Sequence, residues 1–300
     1  MPDQEVVLVS GKSDYMSVSR ELIENIDYWR RLNPGSKISN QPWPTDCDQV
    51  IFSDSDIETA KLSLIEEGYF QTRPCIPEWQ LERLITCTNL VMAEGHAPVY
   101  ALLYDDFFEV LASIKNLLRS LLGANFRIVP DEPDVYFIPT SNIHTGAEPH
   151  RDTLRSHDMY DSKGLPSVIN VWIPITDATT LNSCIHVIPA FADPDFRTTK
   201  SDELLPRMID SSCLQNVRAL PATAGSILGW STELLHWGGQ SSSRAKMPRL
   251  SFAMYFQNAA NAKIHPTATP VPFHLDFEYR LYLIEKVWRD SDGYELNKFL

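Results

Sequence analysis

The chain has no apolar run long enough to cross a bilayer. Val168 to Ile175 is among its longest apolar stretches, against the roughly 20 residues a membrane helix needs. The first residues, Met1-Pro2-Asp3-Gln4-Glu5, are acidic and precede no apolar core, so no secretory signal is expected. Cysteine is scarce: Cys47, Cys75, Cys87, Cys184 and Cys213 are odd in number and form no C-x-x-C pair. Reduced thiols in a cytoplasmic protein are the expectation. Positive charge is also short, with 26 Lys and Arg against 39 Asp and Glu and a net charge of −13. Nucleic-acid binding needs a basic footprint, so that partner class is excluded here. The same balance gives no general attraction to anionic membranes, although a local basic patch for an anionic small molecule stays open. No internal repeat is visible.

What is present is enough for a large core. The 300 residues are 43% hydrophobic and include 13 Phe, 11 Tyr and 7 Trp, which rules out a disordered chain. One large β-rich domain over 1–300 is the expectation. Its first 125 residues read as mainly helical. Ser17 to Leu32 carries Leu22, Ile23, Ile26, Tyr28 and Trp29 at near-helical spacing, stopped by Asn33-Pro34-Gly35. Asp56 to Glu67 follows with Ser55 as N-cap. Gly68 to Arg73 reads as a short strand. A helix then runs from Ile76-Pro77 through Leu81, Leu84 and Val91. Another, Asp105 to Leu122, has Phe107, Val110, Leu111, Ile114, Leu117, Leu118 and Leu121 on one stripe and Gly123 as its stop.

The pattern changes at Phe126. Short β-rich runs appear at 126–129, 134–138, 168–173, 185–188, 225–230 and 250–256, separated by turns bearing Pro, Gly, Asp and Ser. That alternation predicts a sandwich or barrel. After Asn258 a Pro-broken linker leads to a helix over Glu278 to Trp288, so 126–258 is the expected β core and 259–300 a helical cap.

Chemistry-bearing residues collect around Glu148-Pro149-His150-Arg151-Asp152-Thr153. On extended chain, residues i and i+2 share a face, so His150 and Asp152 can address one metal ion from one side. A second His from elsewhere would complete a two-His, one-carboxylate facial set. The triplet alone decides nothing, because His274-Leu275-Asp276 has the same pattern. His236, after a strand and before Gly238-Gly239, is the candidate third ligand. Arg249 and Ser251 open the last core strand on one face; a guanidinium can grip a carboxylate bidentately and a hydroxyl two residues on can add a hydrogen bond. Arg244 competes with Arg249, but it sits in a Ser-rich loop. His186 reads as core or pocket wall, and His144 and His157 as substrate-contact candidates.

In this order the motifs resemble the phytanoyl-CoA dioxygenase-like family of Fe(II)/2-oxoglutarate oxygenases. The resemblance runs from Glu66-Glu67-Gly68-Tyr69-Phe70 and Ile76-Pro77-Glu78 through His150-Arg151-Asp152-Thr153 and Val171-Trp172-Ile173-Pro174. It continues in Asn182-Ser183-Cys184-Ile185-His186-Val187-Ile188-Pro189, His236 and Pro248-Arg249. It implies a double-stranded β-helix (jelly roll, cupin-like) core with flanking helices. It also implies His150, Asp152 and His236 as iron ligands and Arg249 as the 2-oxoglutarate clamp, with Ser251 and Trp172 lining the co-substrate pocket. Fe(II), 2-oxoglutarate and O2 are the implied cofactors and a small or medium organic molecule the implied substrate. The loop from His236 to Arg249 is somewhat longer than the family's, Gly238 stands where a Ser often contributes, and Ala190-Phe191-Ala192 replaces a Gly-Ser-His turn. Related halogenases replace the carboxylate by a small residue, so Asp152 favours hydroxylation or another oxidation. A catalytically silent jelly-roll binding protein, or a cupin-like metalloenzyme without 2-oxoglutarate, are the alternatives; Arg249 argues against the latter. Thr153 to Gly164 and the helical leader are the expected substrate lid.

Overall fold

Helix breakers and caps divide the N-terminal third. The computed structural model describes residues 20–143, 146–152, 159–197, 211–261 and 267–292. Helices α1 (Arg20–Ile23) and α2 (Ile26–Leu32) replace the single predicted helix because Asn25 takes extended backbone and its side chain accepts from Asp27 N. Helix α3 (Asp54–Glu66) begins two residues earlier than expected: Ser53, not Ser55, forms a reciprocal capping box with Asp56. Strand β1 (Tyr69–Gln71) and helix α4 (Glu78–Ala93) fall where the pattern put them. The predicted helix over 105–122 is split at Ile114 into α5 (Asp106–Ser113) and α6 (Lys115–Leu122).

The β core forms two antiparallel sheets. The larger contains β1, β2 (Arg127–Ile138), β3 (Val168–Pro174), β6 (Leu228–Ser231), β8 (Arg249–Gln257) and β9 (Thr269–Pro270), in the order β1-β6-β3-β8-β2-β9. The smaller contains β4 (Ile185–Val187), β5 (Arg218–Leu220) and β7 (His236–Gly238), in the order β5-β4-β7. The two runs predicted at 126–129 and 134–138 are one strand with a register shift between Val129 and Asp134.

Period-two alternation gives the larger sheet two unlike faces. Leu250, Phe252, Met254 and Phe256 on β8, with Ile169, Val171 and Ile173 on β3, join the core built with the helices. Phe107 meets Phe252 edge-to-face at 5.2 Å, and Phe126 meets Phe256 at 5.9 Å. Each such ring removed from water contributes about 2–3 kcal/mol. On the other face, Trp172, Leu228, Trp230 and Ala253 pack against Cys184, Ile185, Val187 and Leu220 of the smaller sheet. Arg249 and Ser251 belong to this inner face, since Ser251 pairs with Tyr136 and Pro174, and Ala253 with Trp172. After the short helix α7 (Ser211–Leu214), the closing helix α8 (Phe277–Asp292) packs on β2 and against the helical layer. No helix among the described residues is long and apolar enough to cross a membrane.

Candidate metal centre

His150 lies outside the named strands, but it bridges antiparallel to His236, the first residue of β7. His150 N donates to His236 O at 2.9 Å, and His236 N donates to His150 O at 3.0 Å. Two residues on, Asp152 N donates to Thr232 O at 2.9 Å. This short ladder sets the side chains. His150 and Asp152 turn to one side, while Arg151 turns to the other and pairs with Asp193 at 2.7 Å and Glu233 O at 2.5 Å.

The three candidate ligand side chains converge. Asp152 Oδ1 stands 3.4 Å from His150 Nε2 and 3.4 Å from His236 Nε2, and one ligand atom from each residue falls within 4.8 Å of the others. The hydrogen bonds of the far ring nitrogens fix the tautomers. His150 Nδ1 faces Glu148 O at 2.6 Å and His236 Nδ1 faces Leu234 O at 3.0 Å. A carbonyl only accepts, so both Nδ1 atoms carry the proton and both Nε2 atoms present lone pairs. Two lone pairs and a carboxylate oxygen then point at one place without a proton among them. A divalent cation resolves that repulsion, and an N,N,O set with open positions suits non-haem iron.

The surroundings hold this arrangement. Asp152 Oδ2 accepts from Trp230 Nε1 at 2.9 Å and from Asn170 Nδ2 at 3.2 Å, leaving Oδ1 for the metal side. Burial pushes the Asp152 carboxyl up, but the attraction of His236 and His150 once acid has protonated them, with the Trp230 hydrogen bond, outweighs it and holds the carboxyl below its ordinary value. Burial pulls His236 down to about 4, against the opposing pull of Asp152. Both groups are therefore in their ligating forms at neutral pH. The sequence reading missed Asn170 and Trp230. An amide in the otherwise apolar run Val168–Pro174 was the available signal.

Arg249 is 2% exposed. Its Nη1 donates to Ser183 O, and its guanidinium carbon lies 5.6 Å from the Trp172 ring centre and 5.9 Å from that of Tyr136. Burial lowers it to about 10, so it stays charged at neutral pH. Its Nε and the Ser251 hydroxyl have no hydrogen-bond partner among the described residues. A buried cation beside an unused hydroxyl is costly unless an anion completes it. These donors fit a bound carboxylate.

The other candidates separate from this centre. His186 stacks on Trp237 at 5.7 Å, on the side of the small sheet opposite His236, whose partner is Val187. Arg244 is exposed. Asp276 of the second His-x-Asp accepts from Tyr279 N and starts α8, while His274 is exposed. His144 and His157 lie outside the described residues, as does much of the expected lid. Gly238 bears no side chain for a packing reason: a Cβ there would stand 2.5 Å from Gly146 Cα.

A family model for phytanoyl-CoA dioxygenase (PhyH) matches residues 88–249, more than half of the chain. The chain belongs to the phytanoyl-CoA dioxygenase family. The matched span holds all three converging side chains and ends on Arg249. The three converging side chains are a candidate metal site, and the epimerase SnoN has been solved in complex with Fe3+ and α-ketoglutarate. Solved structures with the same fold include the non-haem α-ketoglutarate-dependent epimerase SnoN from nogalamycin biosynthesis. It is 15% identical with a TM-score of 0.54, over 69% of this chain and 85% of that one. The non-haem monooxygenase ThoJ is 15% identical, TM-score 0.53, over 77% and 99%. EctD from S. alaskensis, solved with 2-oxoglutarate and 5-hydroxyectoine, is 14% identical, TM-score 0.50, over 75% and 83%. No curated protein gave a match. The phytanoyl-CoA dioxygenase family and these neighbours establish the jelly-roll core with flanking helices that the strand pattern predicted.

Proposed function

We propose that this protein is an Fe(II)- and 2-oxoglutarate-dependent hydroxylase acting on a small or medium organic molecule. The convergence of His150 Nε2, His236 Nε2 and Asp152 Oδ1, with both ring protons turned away, carries the reading. His150, Asp152 and His236 hold the iron; Arg249 and Ser251 hold the distal carboxylate of 2-oxoglutarate, with Trp172 as a wall. The bound metal and co-substrate supply the hard chemistry: O2 is reduced, 2-oxoglutarate is converted to succinate and CO2, and a substrate C–H bond is oxidised.

The chain's own residues orient and exclude. Glu148 O and Leu234 O keep the imidazoles in the ligating tautomer, and Trp230 and Asn170 aim Asp152. Trp172, Leu228 and Ala253 keep the inner face dry. The neighbours include an epimerase and a monooxygenase; Asp152 supplies the third protein ligand that a halogenase site lacks, which favours hydroxylation or another C–H oxidation over halogenation. Residues 1–300 are taken as one catalytic unit, working in the cytoplasm.

Anaerobic titration of the full chain with Fe(II) and 2-oxoglutarate tests the proposal. A visible metal-to-ligand charge-transfer band is expected, weakened at equal ligand by about 100-fold poorer 2-oxoglutarate binding in Arg249→Ala. No band, together with unchanged ligand binding in the Arg249 variant, would leave a silent jelly-roll binder as the better reading.

A further inference from the structure

Ser183 departs from ordinary backbone and hydrogen-bonding behaviour at once. Its φ is +71°, a left-handed conformation that residues bearing a Cβ rarely adopt. Its side chain is fully buried, and its hydroxyl has no hydrogen-bond partner among the described residues. The turn that holds it is firmly built. Asn182 Oδ1 accepts from Thr179 N at 2.6 Å, Asn182 Nδ2 donates to Asp177 O at 2.8 Å, and Cys184 N donates to Thr179 O at 2.9 Å. Strain and an unused buried hydroxyl both weigh against the fold, and neither is offset within the turn.

The neighbour that gives the hydroxyl a use is Arg249. Ser183 O accepts from Arg249 Nη1. Standard bond lengths keep the carbonyl and hydroxyl oxygens of one serine within about 5 Å of each other. The hydroxyl therefore belongs to a residue already in contact with the Arg249 guanidinium. The adjacent backbone offers it no side chain: the point where a Gly146 Cβ would lie is 3.1 Å from Ser183 Oγ and 2.5 Å from Gly238 Cα. Arg249 Nε and Ser251 Oγ are unpartnered near the same guanidinium.

We propose that the Ser183 hydroxyl donates to the distal carboxylate of the co-substrate, making Ser183 a specificity-determining residue for a 2-oxo diacid. This rests on the co-substrate reading given above. The test is anaerobic calorimetry on the full chain loaded with Co(II), comparing 2-oxoglutarate with 2-oxobutyrate, which lacks the distal carboxylate. Ser183→Gly and Ser183→Ala each weaken 2-oxoglutarate by about tenfold, the worth of one hydrogen bond to a charged acceptor, and leave 2-oxobutyrate unchanged. Ser183→Gly also raises the melting temperature, because glycine removes the left-handed strain. Unchanged 2-oxoglutarate affinity, or equal weakening of both keto acids, assigns Ser183 a structural role and overturns the proposal. If the unsubstituted protein does not prefer 2-oxoglutarate to 2-oxobutyrate, while the Ser183 variants melt as expected, the co-substrate reading itself fails and takes this proposal with it.

Discussion

Asp152 shows what one residue contributes and what its neighbours must add. Its Oδ1 faces the two imidazoles while its Oδ2 is held by Trp230 and Asn170. Outer hydrogen bonds of this kind are worth about 10–100-fold in metal affinity. Trp230→Phe keeps an aromatic ring in the inner core and removes the indole donor. It is expected to weaken Fe(II) or Co(II) binding by that factor with the fold intact by circular dichroism; unchanged metal affinity would show that the indole only packs. The pair His150 and Asp152 was legible because extended chain repeats every two residues. Asn170 and Trp230 were not, because their reach to Asp152 depends on β3 pairing with β6, Asn170 opposite Trp230. Chain order does not contain that register.

Elements are positioned by backbone approach as much as by side chains. Gly238 N donates to Ala147 O at 2.9 Å, so the chain before His150 lies directly against β7. A Cβ on Gly146 or Gly238 would come within 2.5 Å of the other's Cα. Both clashing partners are main chain and cannot rotate away. Gly146→Ala is therefore expected to destabilise by about 1–3 kcal/mol, as overpacking does, and to splay His150 from His236. Urea unfolding and metal titration check this, and a variant with normal stability and metal affinity would show that the two segments are not rigidly joined. The helix over 105–122 was read as one because its apolar stripe runs through Ile114 without a break. In the fold Ile114 is fully buried where α5 ends and α6 begins. Periodicity reports which face is buried, not whether the axis is continuous.

At the scale of the whole molecule, two buried histidines couple stability to acid. Burial lowers both His96 and His236 to about 4. His96 takes a 2.6 Å contact with Tyr28 OH beside the rings of Trp29 and Tyr100. The unfolded chain protonates histidine near its ordinary value of 6.5, whereas the native chain resists until about 4. Between those values the unfolded state binds more protons, so native stability falls as pH falls. Each histidine contributes about 2 kcal/mol of loss between pH 7 and pH 5. Asp152, held below its ordinary value, adds its loss only at more acid pH. Urea melts of metal-free protein at the two pH values measure the drop, and His96→Gln should remove about half of it. A pH-independent midpoint would mean that the two rings are not neutral in the native state.

The sequence by itself determined the class of fold, the break between helical and β parts, and the candidate chemistry. Those follow from local rules: strand period, helix stripe, turn residues and the order of His150, Asp152, His236 and Arg249. Tertiary structure alone decided which His-x-Asp has a partner. His150 and Asp152 meet His236 because a hydrogen-bonded bridge lays their segment on β7, while His274 and Asp276 merely begin a helix. It also decided that Trp230 and Asn170 aim the carboxylate, that Gly146 forbids a side chain at Gly238, and that Ser183 lies left-handed under Arg249. These depend on contacts between residues far apart in the chain, which close only when two sheets pack face to face.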